Sequence, residues 1–544
     1  MHPVSRISRF GAFVVLLFAL CSLVRPITVV AANFDTALLP EFSSDYEQRF
    51  GDSLTTYDID IRFRPEHNRI SGSMQVRFTN FTGESLDDIA FRLYPNADYY
   101  DSAYTAVTDA VVDGKAVTPE YQATNTVMIL PLSSPLAPDE SVTIGLVFRV
   151  VIPDDSSGTF GVFSHDTERD LWTLADWYPI VAGWDREIGW RVDPPTAAGD
   201  PTYSDAGIYQ VTVSYPGDLT LVATGSANDT EKRSNLITQT IETGPVRDFT
   251  MIAGSDLDSV DSTVDGTDVH VWSTSAPEAQ AAAAWVSDLA SQMLATYNDQ
   301  FGQYPYDELD FVSTPIRQSV LGVSWSGLVM LSDKLFLNDR TWIDQNPETA
   351  AFAITHELGH QWWGNMVGAN SNDHSFMVEG LTNALTMGAV DPILGADAAD
   401  FLLEQQIAGP YRNALGAKGD GVVDIEVGQE DPDGPSRVAL VYGKGALGFL
   451  ALRLAMGDDA FYAAIDEYAQ DYLYRNATPG DLLSIFRKHA PAGVDVNSVW
   501  RTWFSRSTTD ETGVNALVDQ LGNLFYADSN GVDLNATPVA SSVS

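Results

Sequence analysis

The sequence holds one cysteine, Cys21, and only six lysines among 30 basic residues. Cys21 lies in an apolar run from Gly11 to Val24, so no thiol occurs after it. That excludes disulfides, thiolate metal sites and cysteine nucleophiles from the rest of the chain. Positive charge is scarce as well: Lys and Arg number 30 against 74 Asp and Glu, a formal net charge of -44. A field of that sign repels phosphate backbones and anionic lipid surfaces over about 8–10 Å, which argues against nucleic acid as a partner. Long hydrophobic runs are also missing. Gly11–Val24 falls short of the ~20 residues that span a bilayer, and no later stretch approaches that length, so no integral membrane span is expected in the mature chain.

What is present at the start has the layout of a secretory signal. Arg6 and Arg9 precede the apolar run, and the small residues Val30-Ala31-Ala32 follow it, ahead of Asn33. Export with removal of residues 1–32 is the expectation, an uncleaved N-terminal anchor the alternative. The whole sequence is 44% hydrophobic and 11% aromatic, a composition that packs real cores. Its pattern changes near residue 255. From Tyr57 to Gly254, short alternating segments such as Tyr57-Asp58-Ile59-Asp60-Ile61-Arg62-Phe63 predict an antiparallel β-sandwich-like domain over 33–255. From Ala276 the period lengthens, predicting helices over Ala276–Tyr297, Pro347–Val367, Ser375–Ala389, Ala439–Ala455 and Pro479–His489 within a mainly helical domain over 256–512. Two β-like runs, Leu309–Val312 and Gly327–Leu331, predict a small sheet beside those helices, and 513–544 reads as a short segment with a polar tail.

Chemistry concentrates in His356-Glu357-Leu358-Gly359-His360. Residues four apart on a helix lie one above the other, so both imidazoles face one way and can grip one metal ion. Zinc takes imidazole nitrogen and carboxylate oxygen, and a catalytic site uses three protein ligands with one position open. Glu357 projects beside such an ion, where a carboxylate can accept a proton. A helix, a turn and a second helix could return Glu379, 19 positions after His360, to the same ion. An unpaired carboxylate buried among Phe376, Met377, Val378 and Leu381 would be costly. The plainer readings are satisfied core histidines and an exposed helix-start glutamate.

The run His356 to Asn365, including His360-Gln361-Trp362-Trp363-Gly364-Asn365, followed by Glu379-Gly380, resembles the gluzincin aminopeptidases, the family of aminopeptidase N and leukotriene hydrolase. Phe301 to Asp310 and Val441-Tyr442-Gly443-Lys444-Gly445 are similar to further segments of that family. The resemblance implies a multidomain α+β fold, in which the β-sandwich-like domain precedes a thermolysin-like, mainly helical catalytic domain, without the long helical C-terminal domain of larger relatives. It implies one zinc per chain held by His356, His360 and Glu379, Glu357 as general base and then acid, Tyr442 as the oxyanion-stabilising hydroxyl, and peptide hydrolysis.

One segment departs from the family. Its aminopeptidases carry a Gly-x-Met-Glu-Asn type stretch whose glutamate anchors the substrate's α-ammonium, whereas this chain reads Gly322-Val323-Ser324-Trp325-Ser326-Gly327. A hydroxyl does not replace a carboxylate facing an ammonium. Gly322, Val323 and Ser324 stay the expected substrate-binding edge. Three readings stay open: an aminopeptidase, a zinc hydrolase of other specificity (endopeptidase or non-peptide), and a non-catalytic surface binding protein.

Overall fold

Alternation in Tyr57-Asp58-Ile59-Asp60-Ile61 sends every second side chain into one core, and a computed structural model places this run in strand β1 (Thr55–Arg64), where Tyr57, Ile59 and Ile61 are buried. The structure describes residues 36–525 apart from 52, 101, 198–202, 318, 319, 338, 339 and 430. The expected signal and the polar tail lie outside the described residues.

β1 belongs to an eight-stranded sheet with β2 (Arg69–Thr79), β3 (Tyr104–Val112), β4 (Lys115–Ala116), β5 (Ser141–Val151), β6 (Gly207–Pro216), β7 (Ser226–Arg233) and β8 (Leu236–Val246), in the order β7-β8-β6-β1-β2-β5-β3-β4. Two four-stranded sheets accompany it, one of them containing Leu171–Leu174 and Met251–Gly254, the other Leu86–Arg92 and Val127–Leu136. The expectation of a purely antiparallel β domain needs one correction. β1 pairs with β6 in parallel, Thr55 opposite Gly207 through Arg62 opposite Ser214. Parallel neighbours need a long crossover, and the other strands between residues 64 and 207 supply it.

A mixed five-stranded sheet follows, built from β9 (Asp258–Val264), β10 (Thr267–Ser273), β11 (Glu308–Thr314), β12 (Gly322–Trp325) and β13 (Leu328–Ser332) in the order β9-β10-β11-β13-β12. The runs expected around Leu309 and Leu328 are β11 and β13, parallel to each other. β12 closes the sheet as its terminal strand, antiparallel to β13.

Helix α1 (Pro40–Phe50) precedes the β domain. The helical part contains α2 (Pro277–Phe301), α3 (Pro347–Gly359), α4 (Glu379–Leu394) and α5 (Ala446–Met456) among others. Three expected helices differ from those observed. α3 stops at Gly359 instead of running to Val367, because the chain loosens into longer turns in which Asn365 N–H donates to the His360 carbonyl and Val367 N–H to that of Trp362. The segment expected as Ser375–Ala389 is a single tight turn, Ser375–Met377, before α4 begins at Glu379. Ala439–Gly445 is a wide π-type turn continuous with α5. Among the described residues one helix, Ala439–Met456, is long and apolar enough to cross a membrane, and 83% of it is buried in this fold.

Two arginines from the β region fasten the loops around α3 and α4. The buried Arg247 guanidinium donates to the carbonyls of Asn365 (2.6 Å), Ser204 (2.9 Å) and Arg475 (2.9 Å) and to Asn476 Oδ1 (2.8 Å). Arg191 grips Asp373 with two parallel bonds of 2.9 Å, six residues before Glu379.

Candidate metal centre

α3 starts on Pro347, whose fixed φ suits a first helical position, with Glu348 in the positively polarised first turn. Its last turn carries His356, Glu357 and, at the cap, His360, all less than 9% exposed. α4 crosses α3 and brings Glu379 in at its first position. The structure thus gathers the three expected ligands: His356 Nε2 lies 3.2 Å from Glu379 Oε2, His360 Nε2 lies 3.3 Å from the same oxygen, and the two Nε2 atoms are 3.0 Å apart. Among the described residues this is the one His, Cys, Asp and Glu group close enough to hold an ion. Ligands at about 2.0–2.1 Å from a tetrahedral zinc stand roughly 3.3 Å from one another, so the donor triangle fits.

Donor chemistry agrees. His360 Nδ1 lies 2.9 Å from the Trp363 carbonyl, which can only accept. The proton of a neutral His360 therefore sits on Nδ1, leaving the Nε2 lone pair at the shared point. Burial alone would raise Glu379, but His360 and His356 hold it far below the carboxylate range. Burial pulls His360 down while Glu379 overrides it, leaving it raised to about 9. His356 is lowered by burial and by the neighbouring imidazole.

Glu357 lies against β12. Burial pushes its carboxyl up to about 8. Gly322 makes room for it: a Cβ there would stand 2.3 Å from Glu357 Cγ, closer than atoms pack. Ser324, two residues along the same strand, accepts a 2.8 Å bond from Gln361 Nε2 on the chain leaving α3. Gln361 also donates to the Trp325 carbonyl (2.9 Å) and accepts from Gly327 N–H (2.9 Å), so one amide ties β12 and its turn to the metal helix. Val323 lies between Gly322 and Ser324, opposite Met330.

Tyr442 sits on the wide turn ahead of α5, its ring 6.2 Å from that of His356 and its hydroxyl against Glu379. Burial and that carboxylate push it well above 10. α4 reaches this turn closely because Gly380 has no side chain: a Cβ would meet the Val441 carbonyl at 2.9 Å. His356, His360 and Glu379 form the donor group, Tyr442 stands beside it, and Gly322 lies against Glu357, while Ser324 meets Gln361. Gln361 and Asn383 were not foreseen. Gln361 lies within the quoted run. Asn383 lies four residues after Glu379, a spacing that puts both on one helix face.

Gly322→Ala should displace Glu357 while leaving the sheet intact. A shift of about 1 Å in a catalytic group can cost roughly 10²-fold, so if Glu357 handles a proton in peptide hydrolysis, as the resemblance implies, turnover should fall by about that factor with the melting temperature little changed. Full turnover in the variant would show that Glu357 is not the proton-handling group.

Residues 285–503 match the family described as peptidase family M1 domain. Aminopeptidase N of Lactococcus lactis is 26% identical over 258 residues, covering 45% of this chain and 29% of the relative. Aminopeptidase 2 of Candida albicans is 22% identical over 441 residues, covering 78% of this chain and 45% of the relative. The chain therefore spans less than half the length of these curated relatives. An M1 zinc metallopeptidase from Deinococcus radiodurans has the same fold, with a TM-score of 0.56 and 20% identity, over 84% of this chain and 94% of that one. These likenesses and the donor triangle agree, and residues 285–503, which hold all three donors, match the peptidase family M1 domain and are similar to gluzincin, aminopeptidase N-like enzymes.

Proposed function

We propose that this chain is an exported zinc metallopeptidase that hydrolyses peptide bonds, with aminopeptidase-like action. The convergence of His356, His360 and Glu379 on one point carries the reading. Zinc, when bound there, supplies Lewis-acid polarisation of a carbonyl and brings the pKa of water down to about 7. The chain's own residues do the rest. Glu357 accepts a proton at its carboxylate and delivers it to the nitrogen of the departing amine. Tyr442 donates its hydroxyl hydrogen to the substrate carbonyl oxygen as charge develops, a contribution worth about 2.7–4 kcal/mol in comparable donors. β12, terminal in its sheet, offers Gly322, Val323 and Ser324 as a position where an extended peptide adds as a further strand. A variant of the Deinococcus radiodurans protein has been solved with a Tyr-Ser-Ala substrate, which supports a peptide as substrate here. Export rests on the signal-like residues 1–32.

A second reading is favoured by Ser324, which occupies the amine-anchor segment and is bonded to Gln361 instead of presenting a charge. Without a carboxylate there, cleavage need not start at a free N-terminus, and internal bonds or blocked peptides become substrates.

The purified chain should carry one zinc, lose peptidase activity to a chelator and regain it on adding zinc. Glu357→Gln should keep the metal and lose about 10²–10⁴-fold in turnover. An enzyme indifferent to both would contradict the reading. Matched peptides with free and acetylated N-termini separate the two specificities: faster cleavage of the free peptide supports aminopeptidase action, and equal rates support the second reading.

A further inference from the structure

Two buried polar atoms beside the metal centre have no hydrogen-bond partner among the described residues, Nδ1 of His356 and Oδ1 of Asn383. They are chemically complementary. Asn383 stands one turn along α4 from Glu379, whose Oε2 is 3.2 Å from His356 Nε2, which sets its amide on the His356 side of the helix. Both residues are buried, at 2% and 7% exposure, so water offers neither atom an easy substitute. The other end of the amide fixes its orientation. Asn383 Nδ2 donates to the Tyr442 carbonyl at 3.0 Å, and the flipped amide would instead set Oδ1 against that carbonyl oxygen. Oδ1 is therefore the end available to accept a hydrogen bond from His356 Nδ1–H.

We propose that Asn383 is a positioning residue with two arms: Oδ1 accepts the Nδ1–H of His356, presenting its Nε2 lone pair to the metal, and Nδ2 holds the Tyr442 turn against α4. Both histidines then share one tautomer, since His360 Nδ1 donates to the Trp363 carbonyl. A neutral amide performs this without adding another negative charge beside Glu379. Because Asn383 and Glu379 share a face of α4, one helix sets a ligand, the partner of a second ligand and the carbonyl of the tyrosine. The oxyanion donor and the metal ligands are thereby held in one frame.

The proposal rests on the zinc reading, and the test separates the two. Zinc affinity is measured by chelator competition on the parent chain, Asn383→Ala and Asn383→Asp, with kcat and KM on a peptide and thermal melting alongside. Asn383→Ala, which only removes atoms, should bind zinc about 10–100-fold more weakly while still folding. Asn383→Asp keeps the acceptor and loses the donor, so it should hold zinc within about threefold of the parent yet lose about tenfold or more in kcat at nearly unchanged KM. If Asn383→Ala does not fold, the Asp variant decides by the same split. Parent-like zinc affinity in Asn383→Ala, or parent-like kcat in Asn383→Asp, overturns the proposal. A parent chain that takes up no zinc overturns the metal reading and this proposal with it.

Discussion

Two imidazoles and a carboxylate meet inside the protein with their donor atoms 3.0–3.3 Å apart, and the surrounding structure is arranged to permit that contact. Bringing ionisable groups out of water costs several kcal/mol per ion unless an opposite charge and hydrogen bonds compensate. Two nitrogen lone pairs and a carboxylate aimed at one point have no mutual attraction when all are unprotonated. A proton on His360 pairs it with Glu379 alone, whereas a divalent cation at that point takes both lone pairs and the carboxylate together, which is why the arrangement reads as a metal centre.

The supports lie in backbone proximity as much as in side chains. α4 approaches the tyrosine turn because Gly380 has no Cβ, and β12 approaches Glu357 because Gly322 has none. Gln361 then fastens β12 to the end of α3, while Arg247 and Arg191 fasten the neighbouring loops to the β region. Each of these fixes a position to which the chemistry is sensitive. A ring of weakly constrained side chains on loops would not hold the donor triangle.

Much of this was legible in the sequence, where local period was enough. The i, i+4 spacing of His356 and His360 specifies a shared face once the helix exists, and α3 does exist over both His356 and Glu357. The recurrence of Glu379 in a second apolar helix was visible too. Long-range pairing was not: nothing in Tyr57–Phe63 says that its neighbour is Tyr209–Val213 in parallel, since that register is set by a crossover of well over a hundred residues. The end of α3 at Gly359 and the wide turn at Tyr442 also escaped a reading by periodicity, because both keep an apolar, helix-like composition while changing their hydrogen-bond spacing. Asn383 carries no signal of its own in a run of small and apolar residues. Its place opposite Tyr442 is a property of the packed helices.

The central claim is that His356, His360 and Glu379 share one zinc ion. Diffraction from zinc-loaded crystals on either side of the zinc absorption edge tests it directly. The account predicts one anomalous peak within about 2.0–2.2 Å of both Nε2 atoms and a Glu379 carboxylate oxygen. A peak elsewhere in the chain, or none at these three side chains, would contradict it.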